Sequence, residues 1–475
     1  MSDKVCIIGA GAAGLTAVKA LLAEGVPFDC FEQASDLGGL WRHGTDGGHT
    51  AAYQGLHINT SKKMMEFSDH PMPPDWPEYP SHRQVLAYFN GYADRFGLRE
   101  AITFRTRVDH VEPVDGGAGG FDVTVTDLEG AGGDGQSGAA TTTTRYRAVV
   151  VCNGHHWSPK RPDFPGHFDG EQIHSFEYDT PEPYRGRRVV VVGIGNSGVD
   201  VAAEVSHVTD QTFLSTRRSA WILPRFILGR PSDHWDVPSA AGIPIWLRRA
   251  LYHGLIRVSV GDQEAYGVRK PEHKLLGEHP TMSSALLERA AHGEVVVKPD
   301  VAELRGDRVA FVDGTEEAAD AIVYATGYDI RFPFFDPEFL SADGNRITMY
   351  RRIVVPDVPN LYFVGLFQVV GAMMPIAELQ SKWVAGLITK RLQLPDRETM
   401  GRVIEEDQAA MRARFTRSER HTVQVDYWPY ISTLRRALTN RLDKPSASAV
   451  PRLALGAAAL AAGVGAVVAR RRATA

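Results

Sequence analysis

Lys4 to Ile8 is a short apolar run, the pattern of a parallel strand buried on both faces. Gly9-Ala10-Gly11-Ala12-Ala13-Gly14 follows, then Leu15 to Glu24 with helical spacing, ended by Gly25. Phe28 to Phe31 reads as a second strand and closes on Glu32. About 184 residues later the order returns. Val189 to Val192 lead into Gly193-Ile194-Gly195-Asn196-Ser197-Gly198, a helix from Val199 to Val205, and a strand from Thr212 to Ser215 followed by Thr216, Arg217 and Arg218. Strand, glycine turn, helix and strand is the order of a βαβ dinucleotide unit. Two copies this far apart are one fold used twice, not a short-period solenoid.

Between the copies, Tyr53 to Pro80 is irregular and rich in Pro, Met and aromatics, and Arg83 to Phe96 predicts a helix. Alternation predicts strands over Thr103 to Val111, Phe121 to Thr126 and Tyr146 to Val151. Gly130 to Thr144, rich in Gly, Ala and Thr, reads as a disordered hairpin tip. Trp221 to Glu294 is expected to be mostly helical, with Arg249, His253 and Arg257 on one solvated face of a helix from Leu247 to Val258. Val295 to Val312, Ala321 to Tyr324 and Leu361 to Val364 predict further strands, and Ile376 to Leu392 a long helix.

The chain has 475 residues, enough for several domains and a sizeable core. Lys plus Arg number 52 against 57 Asp plus Glu, a balance that excludes a nucleic-acid binder. Cys6, Cys30 and Cys152 make neither a disulfide framework nor a C-x-x-C pair, and fit a reducing, cytoplasmic setting. No signal peptide is expected, because Met1 leads almost directly into a strand. No spacing of His, Cys or acids points to a metal site.

The chemistry lies in the turns. The first glycine permits the tight turn, the second lets backbone approach a pyrophosphate, and the third lets helix and strand pack closely. The helix N-terminus then offers N–H groups and its dipole to the anion. Glu32 suits a ribose hydroxyl pair, whereas Arg217 and Arg218 suit a 2′-phosphate. The first site is therefore expected to take FAD and the second NADPH.

The sequence resembles the flavin-containing monooxygenases. Phe168-Asp-Gly170-Glu-Gln-Ile-His174-Ser-Phe-Glu-Tyr178 matches that family's fingerprint F-x-G-x-x-x-H-x-x-x-Y/F, just before the second glycine turn. Gly195-Asn196-Ser197-Gly198-Val-Asp200 resembles its G-N-S-G-x-D, and Gly38-Gly39-Leu40-Trp41 its G-G-L-W flavin contact. Asn59-Thr60-Ser61-Lys62 with Phe67-Ser68-Asp69 resembles its active-site loop, Ala325-Thr326-Gly327-Tyr328 its A-T-G-Y, and Pro375 to Gln380 with Trp383 its late helix.

The resemblance implies an α/β protein of two Rossmann-like dinucleotide-binding domains, the NADP domain inserted in the FAD domain. Residues 1–180 would form the first part of the FAD domain, 181–324 the NADP domain with a helical insertion at 221–294, and 325–440 the rest of the FAD domain. A linker at 441–452 and an apolar tail at 453–475 would follow. The resemblance also implies that NADPH reduces FAD and that O2 adds at the flavin C4a. The hydroperoxide then gives one oxygen atom to an amine nitrogen or a sulfur of a small molecule. Such a species needs a dry site with few acids and bases. Asn59 is the expected polar amide beside it, and His174 would couple the two domains. Asn196 and Ser197 are expected on the NADP phosphates, and Asp200 as a helix-start charge.

The nearest alternative is a Baeyer–Villiger monooxygenase acting on ketones. Its fingerprint commonly ends in Trp and Pro or Asp, where this chain has Tyr178. A disulfide reductase needs a cysteine pair that the chain lacks, and a non-enzymatic flavoprotein sensor would not consume NADPH with oxygen. A homo-oligomer is left open. Leu453 to Ala469 is an unbroken run of apolar or small residues flanked by arginines. As a helix it would be about 26 Å long, short for a bilayer core of about 30 Å. Three expectations stand for it: a membrane anchor, an interfacial helix, or a helix docked on protein.

Overall fold

A computed structural model describes residues 3–44, 51–129, 140–236, 243–278, 280–414 and 422–440. Two five-stranded parallel sheets organise the molecule. The first has the order Leu361–Phe363, Ala148–Val151, Val5–Ile8, Phe28–Phe31 and Ile102–Thr103. The second has the order Val295–Lys298, Gln211–Ser215, Arg188–Val192, Ala321–Tyr324 and Glu171–His174. In both, the strand that feeds a glycine turn is central. Val5–Ile8 is buried throughout, as are Val189 to Val192, which is why both read as uninterrupted apolar runs.

Helix Ala12–Ala23 covers the first sheet and packs on Met374–Ile388. Thr16 Oγ1 and Ser381 Oγ are hydrogen-bonded at 2.8 Å across that contact. The helix His82–Phe96 begins with a capping box between Ser81 and Gln84. Its Tyr88, Phe89 and Tyr92 surround the fully buried Phe67. Tyr53, from the irregular stretch, enters the core of the second sheet beside Tyr178. That stretch thus straps the two units together.

Several expectations are corrected. The strand over 103–111 is broken at Arg105, whose φ is 50°, into Ile102–Thr103 in the first sheet and Thr106–Pro113 in an antiparallel meander. Thr141 to Thr144 are not a disordered tip. They begin the strand Thr141–Tyr146, paired in register with Phe121–Asp127, where Thr124 and Thr143 share a hydrogen bond of 2.8 Å. β-Branched threonines suit a strand, whatever the flanking glycines suggest. The rest of that tip, 130–139, lies outside the described residues.

The insertion at 221–294 is not mostly helical. Its described α-helices are Ile245–Ser259 and Ala285–Ala291, and the remainder is short strands, 3₁₀ turns and loops. Nor is its basic face simply solvated. Arg249 Nε donates to Leu275 O at 2.8 Å, and His253 meets the Trp221 ring edge-on at 5.8 Å. The boundary at 181 also moves. Glu171–His174 is an edge strand of the second sheet, and Gly166–Phe168 pairs with Val301–Gly306, so the second unit begins before residue 166. Helices Arg397–Arg414 and Tyr427–Ala437 were not anticipated.

Among the described residues no helix is long and apolar enough to cross a membrane. The expectations for the linker at 441–452 and for Leu453 to Ala469 lie outside the described residues.

Candidate cofactor and substrate site

The two glycine turns have the same backbone. Gly9 has φ +101° and Gly193 has φ +116°, where an L side chain would be strained and a Cβ would meet a carbonyl of the neighbouring strand end. Gly11 and Gly195 cap the following helices in extended conformation, and neither helix start has a side-chain cap. A Cβ on Gly14 would lie 1.9 Å from Gly9 O, and one on Gly198 1.9 Å from Gly193 O. Helix and strand therefore touch backbone to backbone, leaving uncapped N–H groups at both helix starts. That cradle fits the pyrophosphate of a dinucleotide at each turn.

Around the first turn, Ala10 N–H donates to Glu32 Oε2 at 2.7 Å and Ala34 N–H to Oε1 at 2.9 Å. Burial nonetheless pushes the Glu32 carboxyl above its usual range, with those N–H groups pulling it back. Gly38 N–H donates to Ala10 O at 3.1 Å, and a Cβ on Gly39 would lie 3.0 Å from the Gly11 Cα. The 3₁₀ turn Gly39–Trp41, with Leu40, is thereby held against Gly9 to Gly14, with Ala12 and Ala13 on the buried side of the helix.

Around the second turn, Thr216 N–H donates to Lys298 O at 3.0 Å, and Ser219 N–H to Thr216 Oγ1 at 3.0 Å. This turn presents Arg217 and Arg218, neither of which has a carboxylate partner among the described residues. Asn196 is partly exposed, and its Oδ1 accepts from Met282 N–H at 2.8 Å, while Thr281 Oγ1 donates to Ile194 O at 2.8 Å. Ser197 is partly exposed at the helix start. Asp200 is not a helix-start charge. It lies in the second helical turn, paired with Arg225 at 3.6 Å and accepting from Tyr53 OH at 3.3 Å.

The fingerprint residues lie where the units meet. His174 is fully buried; its Nδ1 accepts from Phe176 N–H at 3.1 Å, and its Nε2 has no hydrogen-bond partner among the described residues. Burial pulls it down to about 4, so the ring is neutral. Tyr328 lies against it, ring centroids 5.2 Å apart. Gly170 is explained by packing, since a Cβ there would meet Asp320 O at 2.6 Å. Thr326 and Gly327 clasp the crossing segment: Thr326 Oγ1 donates to Lys160 O, and Lys160 N–H to Gly327 O at 3.0 Å. Gln380 also holds backbone. Its Oε1 accepts from Gly365 N–H and its Nε2 donates to Tyr430 OH, both at 2.9 Å.

Asn59 and Thr60 line a partly open cleft. Met64, Leu223, Ile227, Val370 and Trp428 supply apolar walls, and Met282 ties the cleft to the second glycine turn. The cleft is less free of charge than expected, for Asp233, Asp236, Arg248 and Asp426 also line it. Asp236 and Arg248 pair at 3.0 Å. Asp233 Oδ2 accepts from Ser61 N–H at 2.7 Å, which fixes the loop two residues beyond Asn59. Its Oδ1 is buried with no hydrogen bond among the described residues. No local periodicity marks Asp233 or Trp428, and sequence reasoning missed both. The three thiols are buried apart from any such role, with burial pushing each above its usual range.

Comparison with known proteins agrees with this geometry. The family model for flavin-binding monooxygenase-like proteins matches residues 2–461. Flavin-containing monooxygenase 5 of Rattus norvegicus is 38% identical over 442 residues, covering 89% of this chain and 80% of the relative. Dimethylaniline monooxygenase [N-oxide-forming] 2 of the same species is 35% identical over 452 residues, covering 91% and 82%. Among solved structures, S-allyl-L-cysteine S-oxygenase from Allium sativum superposes with a TM-score of 0.68 at 25% identity, over 93% of this chain and 90% of that one. A cyclohexanone-bound cyclohexanone monooxygenase gives a TM-score of 0.66 at 20% identity, over 92% and 98%, a likeness of fold alone. The chain belongs to the flavin-binding monooxygenase-like family, and is an FAD- and NADPH-dependent monooxygenase.

Proposed function

We propose that the protein oxygenates small amines or sulfur compounds in the cleft beside Asn59, with the first glycine turn holding FAD and the second NADPH. Bound flavin supplies the activation of O2, and the chain's residues bind, orient and shield. Gly9 to Gly14 receive the FAD pyrophosphate, Glu32 its ribose, and Gly39 to Trp41 close over it. Gly193 to Gly198 receive the pyrophosphate of NADPH, with Arg217 and Arg218 on its 2′-phosphate. Asn59 offers a carboxamide to the reacting face, positioned by the Ser61–Asp233 hydrogen bond. The apolar walls limit water.

The observation that carries the reading is one shared strut. Met282 lines the cleft and donates its N–H to Asn196 in the second glycine turn, so nucleotide and substrate sites meet in one segment. The acids around the cleft attract a basic amine, which must give up its proton before its nitrogen lone pair can take the oxygen, and they offer no such attraction to a ketone. The test measures NADPH and O2 consumption and product with a tertiary amine, a dialkyl sulfide and a cyclic ketone. Oxygenated amine or sulfide is expected. Turnover of the ketone alone would move the protein to Baeyer–Villiger chemistry.

Leu453 to Ala469 and the arginines around it support association with a membrane surface, through an anchor or an interfacial helix. A chain ending at Pro445 is expected to leave the membrane fraction while keeping its activity. An unchanged distribution would refute the association.

A further inference from the structure

The loop that follows the helix Ile245–Ser259 brings a third guanidinium to the arginine pair at the second sheet. Arg269, 52 residues beyond Arg217, donates from Nη2 to Arg217 O at 3.5 Å. Its position is built. Ser219 Oγ, on the other side of the pair, donates to Arg269 O. Gln263 is buried and braces both loops at once: its Nε2 donates to Arg269 O at 2.9 Å and to Ala220 O at 3.1 Å, and its Oε1 accepts from Ile222 N–H at 3.3 Å. A satisfied buried amide that joins two loops fixes their relative place.

The charge there is uncompensated. Arg217, Arg218 and Arg269 make no ion pair among the described residues. Of the acids near Arg269 in sequence, Asp262 and Glu264 are held by Lys270 at 2.5 Å and 3.0 Å, and Glu272, exposed three residues on, makes no ion pair with Arg269 among the described residues. Arg269 reaches the backbone that carries Arg217 and Arg218, and arginines on adjoining loops without an acid between them suit a dianion.

We infer that Arg269 is a specificity residue for the nucleotide, reaching from the insertion to complete a three-arginine cradle for the 2′-phosphate of NADPH. The inference rests on the reading of the second turn as the NADPH site. It adds that the choice of NADPH over NADH is made partly by the segment whose later residues, Thr281 and Met282, also grip the glycine turn and line the cleft.

Calorimetric titration of the full-length, FAD-loaded enzyme with adenosine 2′,5′-bisphosphate and with 5′-AMP tests this without turnover. Arg269→Ala is expected to weaken the bisphosphate about tenfold, the scale of one charge-assisted hydrogen bond, and to leave 5′-AMP unchanged. Arg269→Lys keeps the charge and is expected to restore most of the loss. Equal weakening of both ligands in Arg269→Ala and Arg269→Lys would make Arg269 a structural brace and overturn the inference, as would no weakening at all. If the unmodified enzyme binds both ligands equally tightly, the NADPH reading itself fails. If it prefers the bisphosphate and only Arg217→Ala removes the preference, Arg269 alone is excluded.

Discussion

The two glycine turns share a backbone and differ in everything around it. Each has a first glycine at strongly positive φ, an extended second glycine capping a helix, and a third whose Cβ would collide with the first. The first turn is then sealed by local groups: Glu32, at the end of the adjoining strand, takes the Ala10 N–H, and Gly39 lies on Gly11. The second is sealed from far away, by Thr281 and Met282 on its backbone and amide. One cradle is thus complete within the first βαβ unit and its flanking turn. The other depends on an insertion that also builds the cleft. A tightly retained cofactor suits the first arrangement, and a cosubstrate that reports to the reaction site suits the second.

The comparison breaks most completely at the third glycines. Gly14→Ala is expected to yield colourless protein, because the clash with Gly9 O opens the first turn. Gly198→Ala is expected to keep yellow FAD but lose reduction by NADPH. Overpacking of this kind costs about 1–3 kcal/mol or more, and the absorbance spectrum and anaerobic reduction rate separate the two cases. If both variants lose FAD, the turns are not independent.

Next in size is Asn59, in the cleft that Met282 ties to the second turn. Asn59→Leu is expected to lower product formation about 10²-fold, the scale for one preorganised donor. NADPH oxidation should persist, so that product per NADPH falls. A ratio that stays constant would remove Asn59 from the reacting face.

The ribose ends sharpen the contrast further. Arg217→Ala is expected to reduce the preference for NADPH over NADH by about ten- to 150-fold, since a charge-assisted hydrogen bond is worth about 1.5–3 kcal/mol. Glu32→Gln is expected to leave that preference unchanged and to weaken FAD retention instead, read as flavin released on dilution.

The smallest effect lies at the junction. His174 is held neutral at about 4, below its ordinary 6.5. The folded state therefore binds fewer protons than the unfolded state between these values. The contribution is fully present above pH 6.5 and is lost as pH falls toward 4. The melting temperature of the unmodified enzyme should fall more steeply over that window than that of His174→Gln. Parallel curves would mean that the ring titrates alike in both states.

The difference between the turns also decides what was legible. Val5 to Glu32 and Val189 to Arg218 are contiguous, so backbone geometry and strand burial appear directly as glycine spacing and apolar runs. The insertion from 221 to 294 was misjudged because its short strands pair across long separations, such as Ile222–Leu223 with Thr281–Met282, and short pairings leave no periodic trace. Glu171–His174 fell on the wrong side of the boundary for a related reason. An edge strand is assigned by its partner, here Ala321–Tyr324, not by its own four residues.

By itself, the sequence determined two dinucleotide cradles, the acid at one and the arginines at the other, because these follow from local conformational limits on consecutive residues. Only the tertiary structure decided that Asn59, Asp233, Met282 and Trp428 would share one cleft, that Asn196 would hold Met282, and that Arg269 would stand beside Arg217. Those contacts depend on how distant segments bury their apolar faces together, and the free energy of that burial belongs to the assembled core, not to any one stretch of chain.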